Sequence, residues 1–400
     1  MSDRIVIVGG GHAAGVAAMS LREHGHTGEI FVVADEPYAP YQRPPLSKNF
    51  LAGQMTREQL LLKPPKSYEE KQITLRLGLR VETIDREGSA VRLGDGTTLE
   101  YAKLLLATGS RPRRLNIPGA TLAGVHYFRS LADVEAIRAE MAPGKRVVVV
   151  GGGYIGLEVA AVCVKAGMKV TVLEAGSRIL NRVSGPPTAE FFASEHRSQG
   201  VEVRCNACVE AIEGTERAVA VATRDGSVAA DLVIIGVGIE PAIELAVAAG
   251  LECDNGIVVD AYACTSDSRI HAAGDCTNHP NALLGRRLRL ESVQNAVDQA
   301  RAAAANLCGK QHAYAELPWF WSNQYDLRLQ IAGLSQGYDE FVLRGNPAAR
   351  TFSVMYLRAG RLLAADTVNA PRDHLALRKL IASGAEADVA RLTDTTIPLG

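Results

Sequence analysis

Two short runs of consecutive apolar residues, Ile5 to Val8 and Val147 to Val150, interrupt an otherwise mixed pattern. Every residue in both is β-branched. Such a run suits a central parallel strand that is covered on both faces and has no wet side. Each run breaks at three glycines and passes into a stretch rich in alanine and other helix-compatible residues: RIVIVGGGHAAGVAA over 4–18 and RVVVVGGGYIGLEVAA over 146–161. The pattern predicts strand, tight turn and helix, twice. A second apolar strand follows each, EIFVVADE (29–36) and KVTVLEAG (169–176). YAKLLLATGSRPR (101–113) reads as a strand leading to Ala107-Thr108-Gly109, and RIHAAGDC (269–276) as a strand ending in Gly274-Asp275. DLVIIGVGIEPA (231–242) reads as the strand that returns the chain from the second repeat to the first. VEVRCNACVEAIEG (201–214) alternates like one strand after a helix. Beyond Trp321 come short alternating strands, LRLQIAGL, DEFVLRG and RTFSVMYLRAGRLLAADTVN, then a helix from about Arg372 to Ser383 stopped by Gly384.

The repeated element carries chemistry. Gly9-x-Gly11-x-x-Ala14 and Gly151-x-Gly153-x-x-Gly156 place small residues at a tight turn, at the approach to a pyrophosphate and where helix packs on strand. The helix N-terminus behind each turn offers N–H groups and partial positive charge to phosphate. Asp35 and Glu36 end the second strand of the first copy, and Glu174 that of the second. An acid there accepts hydrogen bonds from a ribose diol. A turn of a nucleotide-free α/β fold would also carry glycines, but strand, glycines, helix, strand and acid recur in order. Two dinucleotide sites in one chain suggest a flavin and a nicotinamide with hydride passing between them.

Composition narrows the class. Four hundred residues allow two or three domains. The chain is 47% hydrophobic and 22% charged, with a formal net charge of −1. No overall bias points to nucleic acid or a membrane surface, so a charged partner must be met by a local patch. No apolar run is long enough to span a bilayer. Met1 leads into a strand by Ile5, so no secretory leader is expected. Seven scattered cysteines fit a reducing cytoplasm, and all follow residue 162. No metal site is expected.

Gly9 to Ala14, Ala107-Thr108-Gly109, Gly151 to Gly156, Val237-Gly238 and Gly274-Asp275 stand in the order found in the two-dinucleotide flavoprotein reductases, and the chain resembles that superfamily, the glutathione reductase superfamily, over nearly its whole length. The resemblance implies an α/β fold with two Rossmann-like dinucleotide-binding domains and a C-terminal α+β domain. An FAD-binding domain would take 1–113 and 240–316, an NAD-binding domain 114–239, and the C-terminal domain 317–400. Disulfide-reducing members carry reactive cysteines just after the first repeat, where this chain has Tyr41-Gln42-Arg43-Pro44-Pro45-Leu46-Ser47-Lys48. Cys205-x-x-Cys208 could mimic another redox arrangement, but its alternating context reads as a strand.

The segment YQRPPLSK, with ESVQNAVDQA (291–300) and PWFWSNQYDLRLQIAG (318–333), resembles the flavin reductases that feed [2Fe–2S] ferredoxins of haem-thiolate monooxygenases and Rieske oxygenases. That resemblance implies Arg43 and Pro45 against the flavin, Lys48 at its reactive edge and Glu158 approaching that edge. It also implies Val293 and Gln294 at a helix start near the ring, and Trp319 and Trp321 over its exposed side. Read on their own residues, Lys48 is a solvated side chain, Glu158 a first-turn dipole partner, and the tryptophans the packing of a domain junction. Glu174 disfavours a 2′-phosphate, so NADH is expected over NADPH, with Arg178 a partner of Glu174 or of a pyrophosphate. Arg286, Arg287 and Arg289 offer a docking patch for an acidic ferredoxin, or a basic loop paired with acids of the same chain. The C-terminal module lacks the dimer-forming and catalytic-His context, so a monomer is expected. Rubredoxin, monodehydroascorbate or quinone reduction, or a redox-sensing role like that of apoptosis-inducing-factor relatives, are the alternatives.

Overall fold

All four residues from Ile5 to Val8 are buried, as a two-sided strand requires. The computed structural model describes residues 3–384, 386 and 388–399. The chain forms two compact units, one of Met1–Arg43, Thr56–Arg111 and Glu240–Pro318, the other of Pro44–Met55, Pro112–Ile239 and Trp319–Gly400.

The first unit is built on a five-stranded parallel sheet in the order Ile270–Ala272, Lys103–Leu106, Ile5–Val8, Ile30–Ala34, Ile73–Leu77. Val6 lies between Phe31 and Leu104 in register. Helix His12–Glu23 follows the central strand and packs on helix Val293–Leu307 through Ala14, Ala17, Ala18, Ala300, Ala303 and Ala304. Alanines on both faces let the two helices lie close. The opposite sheet face buries Val6, Val8, Val33, Leu104 and Leu106. Because the strands are parallel, the residues after Val8, Ala34, Leu106 and Ala272 all emerge at one edge. That is the edge where open α/β sheets bind ligands.

The second unit repeats the plan with the order Glu202–Arg204, Lys169–Leu173, Arg146–Val150, Leu232–Ile235, Val125–Tyr127. Leu232–Ile235 is buried throughout and pairs in parallel with Val147–Val150. Within DLVIIGVGIEPA it is an interior strand of this second sheet, and the same segment then carries the chain back to the first unit, as expected. The chain leaves the unit only after Ile239. The expected single strand over 201–214 is two strands, Glu202–Arg204 and Val209–Gly214. Asn206, in the left-handed region at φ 56°, turns the chain between them. Periodicity could not show that break, because alternation resumes in phase. In the same unit the C-terminal sheet runs Trp319–Gln324, Leu327–Gly333, Arg361–Val368, Thr351–Arg358, Glu340–Asn346, all antiparallel. Helix Pro371–Ser383 packs on it and ends at Gly384, φ 63°.

Candidate active site

In the first unit the turn after Ile5–Val8 requires glycine at its first position. Gly9 has φ 125°, and a Cβ there would stand 2.2 Å from the Ala107 carbonyl oxygen. At Gly11 a Cβ would meet nothing within 4 Å. Gly11 caps helix His12–Glu23 without any side-chain hydrogen bond. The helix N-terminus therefore opens onto space with its N–H groups uncapped, which suits the pyrophosphate of a dinucleotide. Ala14 is fully buried against the sheet. Asp35 is exposed one residue past its strand, whereas Glu36 is occupied by the Tyr41 hydroxyl and by Arg43, both at 2.6 Å.

The neighbouring strand ends supply the rest of this cradle. The Thr108 hydroxyl donates to the Ala242 carbonyl at 2.6 Å, and Gly109 takes φ 67°. Asp275 accepts from the Ser110 hydroxyl at 2.8 Å. Gly274 at φ 90° donates its N–H to Gln299 Oε1 at 2.8 Å. Gln299 is fully buried and fixes the turn that aims Asp275, a role invisible in the alanine-rich helix sequence. Val293 opens its helix behind the Ser292 cap, and Gln294 donates to Asp298 at 2.9 Å. Despite burial, the Arg43 guanidinium is held above its usual range by Tyr41, Glu36 and Asp275. Arg287 is held by the Asn278 and Val259 carbonyls at 2.6 and 2.7 Å. Arg289 pairs with Glu291 at 2.7 Å, and Arg286 is exposed at the start of strand Arg286–Leu288.

The second unit holds the second cradle. A Cβ on Gly151, φ 108°, would stand 2.4 Å from the Gly236 carbonyl, and one on Gly153 would meet nothing within 4 Å. At Gly156 a Cβ would strike the Gly151 carbonyl oxygen at 2.1 Å. Glu174 accepts from the Gly152 and Gly176 N–H groups, each at 2.7 Å. Its carboxylate ties the glycine turn to the following loop and brings negative charge to that corner. Arg178 is not its partner, because the guanidinium donates to the Ser184 carbonyl at 2.7 Å.

The same unit joins Lys48 to Glu158. Pro44 and Pro45 start a short 3₁₀ turn over Pro44–Ser47, and their fixed φ aims the residues after it. Lys48 Nζ lies 2.6 Å from Glu158 Oε2 and 3.1 Å from the Pro44 carbonyl. The Ser47 hydroxyl donates to the same carboxylate oxygen at 2.5 Å, and the Ser322 hydroxyl donates to Oε1 at 2.6 Å. Glu158 is 2% exposed. It is the fifth residue of helix Tyr154–Lys165, beyond the uncapped first turn, so it is not a dipole partner. A buried carboxylate with three donors, one of them an ammonium, is a fixed negative charge of known orientation. Ser47 and Ser322 were not singled out in the sequence, where a lone serine carries no signal.

Trp319 packs on Trp321 at 5.5 Å between ring centres and lies near His374 and under Arg378. Both tryptophans are half-buried in the first strand of the C-terminal sheet. The seven cysteines are free. Cys205 and Cys208 lie in the turn between strands. Burial and then Glu174 push the Cys205 thiol up, away from thiolate chemistry. Among the described residues no helix is long and apolar enough to cross a membrane.

Comparison with known proteins gives consistent findings. The pyridine nucleotide-disulphide oxidoreductase family model matches residues 3–300, and a reductase C-terminal family model matches residues 319–400. Rhodocoxin reductase of Rhodococcus erythropolis is 46% identical over 397 residues, covering 99% of this chain and 93% of that protein. A rubredoxin-NAD(+) reductase of Ectopseudomonas oleovorans is 39% identical over 375 residues, covering 93% of this chain and 97% of that protein. The crystal structure of a covalent putidaredoxin reductase–putidaredoxin complex matches with a TM-score of 0.96 and 44% identity, over 99% of this chain and 97% of that one.

Proposed function

The chain belongs to the pyridine nucleotide-disulphide oxidoreductase family, and from that premise we propose that it is the NADH:ferredoxin reductase of an oxygenase system. FAD held in this chain would supply a carrier that takes two electrons as hydride and gives them up one at a time, matching NADH to a one-electron iron–sulfur acceptor. One observation carries the reading. Where thiol-using members of the family need sulfur, this chain places Ser47 and Lys48 on the buried carboxylate of Glu158. With no thiol in that segment, the electrons must leave to an external carrier. The relatives that match over almost the whole chain include rhodocoxin reductase at 46% identity, with the rubredoxin reductase lower at 39%.

In this reading FAD takes the cradle of Gly9, Gly11, Ala14, Asp35, Ala107, Thr108, Gly109, Gly274 and Asp275, with Arg43, Val293 and Gln294 beside it. NADH takes Gly151, Gly153, Gly156 and Glu174. The same reading assigns 1–113 with 240–316 to FAD binding, 114–239 to NAD binding, and 317–400 to a C-terminal domain. Lys48 and Glu158 supply a fixed ion pair at the hydride-transfer edge. Transfer itself needs alignment more than acid–base help. Glu174, with both oxygens committed to backbone N–H groups, rejects a 2′-phosphate by charge and by occupancy. Arg286, Arg287 and Arg289 present a basic face to an acidic [2Fe–2S] ferredoxin, steered by long-range attraction. A cytoplasmic monomer completes the proposal.

The test is anaerobic reduction of the FAD-loaded protein by NADH and by NADPH, followed by cytochrome c reduction with and without an acidic [2Fe–2S] protein. NADH should bleach the flavin faster, and cytochrome reduction should depend on the carrier. Equal rates without the carrier would dismiss the ferredoxin. In the same assay Lys48→Ala and Glu158→Gln should slow bleaching by NADH, and unchanged rates in both would remove the pair from the site.

A further inference from the structure

Glu158 terminates a row of buried polar side chains whose hydrogens can be assigned one after another. The Ser322 hydroxyl lies 2.6 Å from Glu158 Oε1, and Gln324 Nε2 lies 3.1 Å from the Ser322 oxygen. His196 Nε2 lies 2.8 Å from Gln324 Oε1, and the Tyr325 hydroxyl lies 2.8 Å from His196 Nδ1. Ser322 and His196 are fully buried and Gln324 is 1% exposed. Apolar residues of similar size would fill a helix–sheet contact without the desolvation cost of these groups.

The directions follow from donor and acceptor counts. Beside Lys48, and with hydroxyls on both oxygens, Glu158 is an acceptor. Ser322 has one hydrogen, and it goes to Glu158, so its oxygen must accept from the Gln324 amide N–H. That fixes the amide, and its oxygen faces His196. Nε2 of His196 must then carry the hydrogen, leaving Nδ1 to accept from the Tyr325 hydroxyl. Burial favours the neutral imidazole this requires, with His196 pushed down to about 4.

The far end is clamped separately. Arg350 Nη2 bridges Asp326 at 2.6 Å and Glu195 at 3.1 Å, the residues adjoining Tyr325 and His196. Lys165, the last residue of the helix that carries Glu158, lies 5.5 Å over the Tyr325 ring. Both ends of the row are thus anchored to the one helix.

We infer that Tyr325, His196, Gln324 and Ser322 are positioning residues, a donor chain running one way that orients the Glu158 carboxylate beside Lys48. Each bond polarises the next, and the dipoles all point at the carboxylate. The catalytic relevance of the chain rests on the place of Glu158 in the proposed reaction, but its existence does not.

Three readouts on the FAD-loaded protein test it. In a ¹⁵N-histidine spectrum His196 should be protonated at Nε2 and bare at Nδ1. In infrared difference spectra with labelled glutamate, assigned through Glu158→Gln, Ser322→Ala and Gln324→Leu should move the Glu158 carboxylate band. Hydride transfer from NADH should slow about tenfold in both variants while the Kd for NADH stays within about twofold. Tyr325→Phe removes one hydroxyl from a half-buried ring and keeps the test open if a buried variant fails to fold. It should shift the His196 Nδ1 resonance and slow transfer about twofold. A His196 protonated at Nδ1 would overturn the inference, as would a Glu158 band unmoved by Ser322→Ala and Gln324→Leu. A Glu158→Gln protein that takes hydride at the parental rate would overturn the proposed site instead, and the tautomer and the band would still decide the chain.

Discussion

Gly156 shows how one atom sets a requirement. Its missing Cβ would lie 2.1 Å from the Gly151 carbonyl oxygen, in backbone that cannot move without opening the turn. Gly156→Ala should therefore weaken NADH binding while leaving the flavin in place, read as an unchanged yellow spectrum with a raised KM for NADH. Ala14, at the same step of the first repeat, already carries its Cβ in a fully buried site, so the two turns tolerate different residues. Glu174 acts at the same scale. Glu174→Ala removes an acceptor from two backbone N–H groups, worth about 2 kcal/mol for bonds to a charged group. The expected result is a loss of preference for NADH, measured as the ratio of kcat/KM for the two coenzymes. Full retention of that preference would assign selectivity elsewhere.

At the scale of elements, strand Arg361–Val368 meets the start of helix Pro186–Ser198 through one buried acid. The Gly185 N–H donates to the Tyr356 hydroxyl at 2.9 Å, and that hydroxyl donates to Asp366 Oδ2 at 2.6 Å. Burial lifts Asp366 to about 6 from its ordinary 3.8. The folded state thus favours the protonated acid. This group's contribution to stability is complete below about 3.8, declines as pH rises to about 6, and is level beyond. The shift corresponds to about 3 kcal/mol. Asp366→Asn should abolish that decline and raise the calorimetric melting temperature at neutral pH. A variant melting below the parent there would show that the charged acid stabilises the junction.

For the whole molecule, buried histidines act in the opposite direction. Burial pushes His196, His271, His279 and His374 each down to about 4. Each is neutral in the fold and charges when the chain unfolds, so stability is complete above about 6.5 and falls as pH drops toward 4. Each histidine contributes at most about 1.4 kcal/mol per pH unit. Acid unfolding should take up protons in that window, measured by potentiometry alongside circular dichroism. His374 has no partner for either ring nitrogen among the described residues. His374→Gln should move the acid midpoint down, and a midpoint that stays fixed would exclude it as a contributor.

The sequence alone determined the two strand–glycine–helix turns, the acids at the following strand ends, the alternating C-terminal strands and the Gly384 stop. Those depend on local quantities: a run of β-branched residues, a positive φ, a period of two. It showed residues 231–242 as the return to the first unit but not that Leu232–Ile235 first fills the interior of the second sheet, because a strand's partner depends on which sheet has room for it. It also missed the break at Asn206, where alternation resumes in phase. Only the tertiary structure decided what surrounds Glu158. Ser47 stands 111 positions away in sequence and Ser322 stands 164 away. Whether a serine faces water or a buried carboxylate is set by where distant segments cross, and no local pattern encodes that crossing.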